Sequence, residues 1–399
     1  GLTDSQIRLV AQSAINEVLK GIDYDKLGDR ASQQLLSDLK LTMNALLQLT
    51  DDVKVLDNVI VDMTVAMGSL IQKSADKDAE VKSVLDLINQ ILNKNSTVSV
   101  IGETIDTSEI KDLKKILDFN DKIIGAFENI GLKVLKKPDS TVKFSFRDGI
   151  IRVDAKDLRS KDRKLGLKKS GDHATLVLEP EGSDWGPVNI KLVHRTDGKF
   201  TTVMLRKDGK EINVGGIYDD NTRTMTFTTY ESGDYYIVEN PVKFIDLEEY
   251  EWAEDYILSL ASKGIITGRG EDRFVPGDNV TRAEFAALTV RALKSRTENG
   301  GLSFSDVAAD SWYYETVLNA VQNGIMQGKS TDSFDPDGKI TRQEIAVVMA
   351  NILKDLGYEN TDDTLLSQFD DRESIAPWAE KEALLSVETQ LVVGDKGMF

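Results

Sequence analysis

The chain has 399 residues, with 49 Lys and Arg against 67 Asp and Glu, and a formal net charge of −18. This charge argues against duplex DNA or RNA as a partner, because nucleic acids bind basic surfaces. The sequence has no cysteine, which excludes disulfides and cysteine-based metal sites. No apolar run reaches ~18 residues, so we expect no membrane span. The length predicts two or three domains.

Residues 1–137 contain no proline, and their apolar residues recur at helical spacing, as in Val81, Val84 and Ile88. This pattern predicts a helical region, either an antiparallel bundle or long hairpins. A short β-prone patch at 98–101 interrupts it. We interpret the region as a structural stalk. The alternative is that its helices contact another surface protein or a second copy of the chain.

Residues 138–240 change to short alternating segments, such as 141–146 and 150–154, separated by Asp-Gly turn signals. Short strands at about ten-residue spacing predict a β-sandwich. The two histidines of the chain, His173 and His194, fall in this region. We interpret them as packing or surface residues.

From residue 241 to 360 the sequence repeats itself at a fixed offset of sixty residues, and the offset to a third copy is 65 or 66. Such a period predicts a repeat architecture, in which each unit buries its apolar face on its neighbours. A third copy starts at Phe369 and reaches Phe399 before any Thr-Arg-x-Glu. The predicted repeats are 241–300, 301–360 and 361–399, with linkers at 297–302 and 358–368. The second copy reads Phe304-Ser-Asp306, Trp312, Gly324-Ile-Met-Gln-Gly328, Phe334-Asp-Pro336 and Thr341-Arg342-Gln-Glu344.

The first helix of each repeat has recognisable start and stop signals. Ser311 or Asp310 is placed to cap a helix that opens with Trp312. Gly324 is placed to end that helix in the left-handed conformation, which glycine tolerates best. Gln390 replaces this glycine in the third copy, so we expect a different helix end there.

The second helix starts at a capping box, Thr341-x-x-Glu344, which has its copy at Thr281 and Glu284. The box leaves the intervening arginine unexplained, because the helix dipole disfavours a cation in the first turn. Two explanations stay open for this arginine: a pocket for an anionic ligand, or a salt bridge to Asp246, Asp306 or a neighbouring repeat.

The repeated tryptophan and the second glycine of each loop also have two interpretations. The tryptophan can be a core anchor between repeats or an exposed platform for a sugar ring. The glycine can serve turn geometry or let a ligand approach the backbone. Residues 335–344 mimic half of a calcium loop, but Ser333 is a poor first ligand, so we expect no metal site. We also expect no cofactor and no catalytic residues.

These motifs resemble the S-layer homology repeat of bacterial cell-surface proteins, over about 241–399. The resemblance implies three repeats that pack as a pseudo-threefold helical prism. The expected fold class is therefore multidomain α+β, with an N-terminal helical bundle-like region, a central β-sandwich and all-α C-terminal repeats.

The resemblance also implies a non-catalytic function at the cell wall, outside the cell. Such repeats bind secondary cell-wall polysaccharide, often carrying pyruvate ketals on N-acetylmannosamine, or a peptidoglycan-linked glycan, in grooves between repeats. The arginine would meet the ketal carboxylate, and the tryptophan and glycine would shape the sugar site. The candidate residues are Asp246, Trp252, Gly268, Arg282, Asp306, Trp312, Gly328, Arg342, Asp371, Trp378 and Gly394.

Two alternatives remain at the level of the whole protein. The chain starts at Gly1 without a signal sequence and ends within a repeat, so we interpret it as a fragment of a longer precursor. It could be the anchoring tail of a secreted polysaccharide-degrading enzyme, or a structural protein of the surface lattice.

Overall fold

The computed structural model describes residues 3–50, 53–74, 77–100, 102–110, 113–128, 141–159, 162–181, 185–196, 199–297, 301, 304–355, 358, 364–395 and 397–399. The predicted boundary at Pro138 and parts of both predicted linkers lie outside these residues. The chain divides into two compact units. The first is Gly1–His194 with Thr224–Tyr235, and the second is Arg195–Arg223 with Tyr236–Phe399.

The N-terminal part of the first unit is helical, as predicted. Its helices are α1 Asp4–Leu19, α2 Asp29–Leu49, α3 Asp57–Ile71, α4 Lys77–Asn95 and α5 Leu113–Glu128. They share one apolar core, to which α2 contributes Leu36, Leu39 and Met43. These residues are three and four positions apart, so they lie on one face of the helix.

The strands begin inside the region predicted to be helical. In chain order they are β1 Thr97–Ser99, β2 Thr104–Asp106, β3 Thr141–Ser145, β4 Gly149–Asp154, β5 Lys164–Ser170, β6 His173–Glu179, β7 Val188–Val193, β8 Thr201–Lys207, β9 Lys210–Gly215, β10 Ile217–Asp219, β11 Thr224–Thr229 and β12 Gly233–Glu239. A buried network holds the junction between α4 and β1. Asn95 Nδ2 donates to Asn120 Oδ1 (2.9 Å), and Asn120 Nδ2 donates to Ser96 Oγ (2.7 Å).

The central strands form two sheets. Within the first unit, one sheet has the order β1-β3-β4-β7-β11 and the other has the order β2-β5-β6. The first sheet is mixed, because β1 pairs in parallel with β3, while β3 to β11 pair antiparallel. In the other, β5 pairs antiparallel with both β2 and β6.

The second unit begins with the hairpin of β8 and β9. Asn213, near the end of β9, donates through Nδ2 to the carbonyl of Ser262 (2.9 Å), and Asn240 donates to the same oxygen (2.8 Å). These bonds tie the hairpin to the repeats, whose helices are α6 Glu251–Ser262, α7 Arg282–Leu293, α8 Tyr314–Gln322, α9 Arg342–Asp355 and α10 Glu380–Glu388.

The first and second repeats share one apolar core. Ala286 of α7, Val317 of α8, Phe334 of the following loop and Val348 of α9 are all buried in it. None of these short helices buries its apolar face alone, as expected of a repeat architecture.

The helices that open each repeat end in the same way. The residues after α6 and α8, Gly264 and Gly324, have φ of +70° and +67°, so the prediction for Gly324 is confirmed. Gln390, after α10, has φ of +59°. The expectation that the third helix end would differ is therefore wrong, because glutamine adopts the left-handed conformation there.

The predicted start of α8 is also wrong. This helix begins at Tyr314, two residues after Trp312, and has no side-chain cap. The hydroxyl of Ser311 donates to the carbonyl of Ala308 (2.6 Å) instead of accepting from the helix.

The predicted fold class is wrong in two respects. The central region is not a separate sandwich after a purely helical region, because β1 and β2 lie before residue 138 and pair with β3 and β5. The repeats are not all-α: between the short helices lie loops, and Thr281 forms an isolated antiparallel bridge with Lys339. The repeats are not all-α because loops, held by hydrogen bonds to the aspartate of each Phe-x-Asp motif, form much of each repeat. Each helix in the described ranges is too short or too polar to span a lipid bilayer.

Candidate functional site

The aspartate of each Phe-x-Asp motif binds the loop that follows it in the same repeat. The amides of Phe274 and Val275 donate to Asp246 at 3.0 and 2.8 Å. These bonds, led by the one from Phe274, hold the pKa of Asp246 below its ordinary value. In the next repeats, Phe334 and Asp335 donate to Asp306 (2.9 and 2.7 Å), and Phe399 donates to Asp371 (2.7 Å).

The repeated second glycine is required by packing. A Cβ on Gly268 would lie 2.7 Å from the ring of Phe244, and one on Gly328 would lie 2.5 Å from the ring of Phe304. Gly394 has the same conflict with Phe369. None of these three glycines has a positive φ, so neither left-handed turn geometry nor ligand approach is needed to explain them.

The capping boxes are confirmed. Thr281 Oγ accepts from the amide of Glu284 (3.2 Å), and the Glu284 carboxylate accepts from the amide of Thr281 (2.8 Å). The amide of Thr341 donates to Glu344 in the same way (2.9 Å). Each box satisfies two N–H groups that the first turn of a helix leaves unpaired.

Arg282 is buried between the first and second repeats, with 4% of its surface exposed. Its Nη1 donates to the Glu344 carboxylate (2.8 Å), its Nε to the carbonyl of Phe334 (2.8 Å) and its Nη2 to the carbonyl of Gln327 (2.7 Å). The guanidinium also lies 4.8 Å from the centre of the Phe334 ring. The salt-bridge explanation therefore describes this arginine.

The N-terminus of α7 is likewise occupied by the protein itself. The amides of Arg282 and Ala283 donate to the carbonyls of Gly338 (2.8 Å) and Pro336 (3.0 Å) of the second repeat. These donors are the ones that an anion at a helix N-terminus would need.

Arg342 occupies the matching position in α9 but is exposed. Its Nη2 donates to the carbonyl of Val393 in the loop of the third repeat. This contact corresponds to the bond from Arg282 to Gln327. The two arginines thus reach the loop of the next repeat, and Arg282 is the one that is buried.

Two grooves open between successive repeats. Groove 1 has a volume of about 350 Å³ and lies between the loop at Gly268, the helix α7 and Trp312. Groove 2 has a volume of about 550 Å³ and lies between the loop at Gly328, the helix α9 and Trp378. Eight lining positions of groove 1 recur sixty residues later in groove 2: 266, 267, 268, 269, 284, 287, 288 and 291.

The tryptophans of these grooves are exposed rather than core residues. Trp312 is 61% exposed and Trp378 is 57% exposed. An indole with an open face can stack on the C–H face of a sugar ring. The core-anchor interpretation therefore does not describe these side chains, and a platform for a sugar ring stays a prediction.

Each groove has a basic residue directly after its glycine. Arg269 of groove 1 binds Asp278 (2.7 Å) and Glu284 (3.0 Å), and Lys329 of groove 2 binds Glu344 (2.5 Å). Burial raises the pKa of Glu344, but hydrogen bonds from Lys329 and Thr341 outweigh burial and hold the pKa below its ordinary value.

The structure brings together five of the eleven predicted site residues. Gly268 and Trp312 line groove 1, and Gly328, Arg282 and Trp378 line groove 2. The other six are outside the lining of these two grooves: Asp246, Asp306 and Asp371, which bind loops, and Trp252, Arg342 and Gly394.

Sequence reasoning missed Arg269 and Lys329 as groove residues. It also missed Arg291 and Asn351, which donate to the matching carbonyls of Ile265 (3.3 Å) and Ile325 (3.4 Å). The offset of sixty residues was the available signal, because it aligns the two basic residues directly after a predicted site glycine.

Comparison with known proteins agrees with this geometry. The family model of the S-layer homology domain matches residues 243–286 and 303–346. These segments contain both grooves' loops and the start of α9. The chain carries S-layer homology repeats. It is thereby a protein of the cell surface and cell wall.

The proteins to which this chain is similar differ in their overall nature. The chain is 32% identical over 145 residues to a "Surface-layer 125 kDa protein" of Lysinibacillus sphaericus. These 145 residues are 36% of this chain and 12% of that protein. An "S-layer protein" of Bacillus licheniformis is 33% identical over 159 residues, or 39% and 17% of the two chains. An "Amylopullulanase" of Thermoanaerobacterium thermosulfurigenes is 30% identical over 182 residues, or 46% and 10%. The match thus spans less than a fifth of each of these relatives.

Proposed function

We propose that the protein is anchored to the bacterial cell wall through binding of secondary cell-wall polysaccharide in grooves 1 and 2. The observation that carries this proposal is the repeated construction of the grooves. The same eight positions, sixty residues apart, build both clefts, and each cleft presents an exposed indole from the following repeat. The region is non-catalytic in this proposal.

The chemistry of the grooves suits a polysaccharide with acidic groups. Trp312 and Trp378 offer apolar faces for sugar rings, and Arg269 and Lys329 offer charged N–H donors at the glycine loops. A pyruvate ketal on a sugar would supply a carboxylate for such a donor. The overall acidity of the chain does not oppose this, since charges are screened beyond ~8 Å at physiological salt.

The proposal is tested by retention on purified cell walls of the source bacterium. The double variant Trp312→Ala with Trp378→Ala should lose most retention, because both stacking faces are removed. Tyr256→Ala is the matched control: it removes an aromatic ring that is 72% exposed on α6 but lines neither groove. Equal retention of the double variant and the wild type would refute the proposal.

A second candidate is that this region anchors a larger secreted enzyme. It is favoured by the amylopullulanase, which shares 30% identity with 46% of this chain. The anchoring chemistry would be unchanged, and catalysis would come from another part of the protein. Sequencing the gene upstream of Gly1 tests this candidate. A glycosidase domain there would support it, and a surface-layer type of sequence would support the lattice alternative.

A further inference from the structure

The helical part of the first unit carries a groove of its own, which we call the α2–α4 groove. It has a volume of about 520 Å³ and opens between the helices α2 and α4. Its lining residues follow each other mostly at three or four positions, so each helix presents one stripe to it. These residues are Ser37, Lys40, Leu41 and Asn44 of α2, and Ala79, Lys82, Ser83, Asp86, Leu87 and Gln90 of α4.

The two helices are joined across this groove by one lysine. Lys40 of α2 donates to Glu80 and to Ser83 of α4 (2.6 and 3.2 Å), and Leu87 beside them is buried. Leu41 also lines the groove, but it is 65% exposed. A single exposed leucine is ordinary on a protein surface. The case for a partner therefore depends on the charges beside this leucine.

The charges of the α2–α4 groove are nearly balanced, although the chain has a net charge of −18. The charged lining residues are Lys40, Lys82 and Asp86, and Lys40 already pairs with Glu80. This leaves one exposed cation, Lys82, and one exposed anion, Asp86, on the same stripe of α4. Two copies of an acidic chain repel each other, so a balanced face is the kind of surface at which they can meet.

Lys82 and Asp86 do not pair with each other. They are four positions apart, but a cation followed by an anion is the weaker order on a helix. Within the part of the chain that the structure describes, neither side chain has an ion pair or a hydrogen bond. A second α4, antiparallel to the first about a two-fold axis near position 84, would place each Lys82 opposite the other copy's Asp86. The same axis would place the small Ala79 near the longer Gln90.

We propose that the α2–α4 groove is an interface between two copies of this chain, in which Lys82 of each copy donates to Asp86 of the other and Leu41 is covered. A charge pattern that is complementary to itself under a two-fold rotation favours a second copy over an unrelated partner. The lining is mostly polar, so we expect reversible association at micromolar concentration rather than an obligate dimer. A two-fold contact closes on itself and joins chains in pairs.

Sedimentation equilibrium of the whole chain over micromolar concentrations tests the proposal. Lys82→Asp places like charges at both crossings of the interface, so the Kd of the dimer should rise about tenfold or more. Asp86→Lys should weaken the dimer to a similar extent, although it lowers the overall repulsion between the acidic copies. The double variant, Lys82→Asp with Asp86→Lys, restores opposite charges at both crossings and should regain the Kd of the wild type.

A mixture of the two single variants gives the sharpest result. Each of them repels its own copies, but Lys82→Asp and Asp86→Lys attract each other at both crossings, so the mixture should form a heterodimer. Lys243→Asp is the matched control, because it changes the net charge as Lys82→Asp does and is exposed outside the α2–α4 groove. It should leave the Kd nearly unchanged. Circular dichroism of each variant checks that the fold is retained.

Three results would overturn the proposal. The first is a wild type that stays monomeric over the whole concentration range. The second is a dimer that both single variants retain, because its interface would then lie elsewhere. The third is a loss in the single variants without recovery in the double variant or in the mixture, since the two-fold pairing requires both. None of these results bears on grooves 1 and 2, which retention on cell walls tests separately.

Discussion

At the residue scale, the role of Arg282 follows from the groups to which its N–H donors bind. Three of them bind one carboxylate and two carbonyls, all from the second repeat. Glu344 is itself buried. A buried ion pair is costly to break from one side, although Glu344 would keep its bond from Lys329. Arg282 is thus a structural link between repeats as well as a wall of groove 2.

Arg282→Ala is therefore predicted to destabilise the second unit by about 1–3 kcal/mol, because the carbonyls of Phe334 and Gln327 lose their donor while Glu344 keeps Lys329. Urea unfolding, followed by the fluorescence of the repeat tryptophans, measures the change. Arg342→Ala is the matched control at the same motif position. Its side chain is exposed, so we expect a change within about 0.5 kcal/mol. Similar costs for the two variants would contradict this account.

At the scale of single elements, the helix ends show that hydrogen bonds impose a backbone conformation that the side chain does not favour. After α8, the amides of Ile325 and Met326 both donate to the carbonyl of Ala320. After α10, Leu391 and Val392 both donate to Ser386. The pattern is the same, although Gln390 takes the place of Gly324. These hydrogen bonds thus outweigh the preference of glutamine for a negative φ.

Gln390→Gly is predicted to stabilise the third repeat by about 0.5–1 kcal/mol, because glycine adopts φ of +59° without a Cβ penalty. Chemical denaturation of wild type and variant measures the gain. Gln390→Ala is the control: it shortens the side chain but keeps the Cβ, so it should bring no such gain. A gain of equal size for alanine would show that the glutamine side chain, not the backbone, was unfavourable.

The elements predicted well from sequence are those set by nearby residues. The capping boxes span three positions, so Thr281 and Glu284 already contain the information for them. The loop-binding role of Asp306 was not predicted, because its partners lie 28 and 29 residues further on. The role of Arg282 stayed open for the same reason: Glu344 is 62 residues away. β1 and β2 have three residues each. Such short segments carry too little sequence pattern to predict the distant strands with which they pair.

At the scale of the whole molecule, the net charge of −18 repels the proposed acidic ligand where the salt concentration is too low to screen it. The attraction in the grooves is local, between groups in contact. The repulsion is long-ranged, because it sums over the chain. Salt weakens the long-range repulsion but not the local attraction, because the screening length falls from ~30 Å at 0.01 M to ~8 Å at 0.15 M.

The association rate constant for the acidic polymer should therefore rise with salt, roughly threefold or more between 0.01 and 0.15 M, opposite to electrostatic steering toward a basic surface. The reason is that an approaching polymer first meets the overall negative charge and reaches Lys329 only at contact. Surface plasmon resonance on immobilised polysaccharide measures this rate. The carboxyl-reduced polymer is the control, and its rate should not change. A rate that falls with salt would mean that the grooves' cations dominate the field at long range, and that the acidic surface does not face the wall.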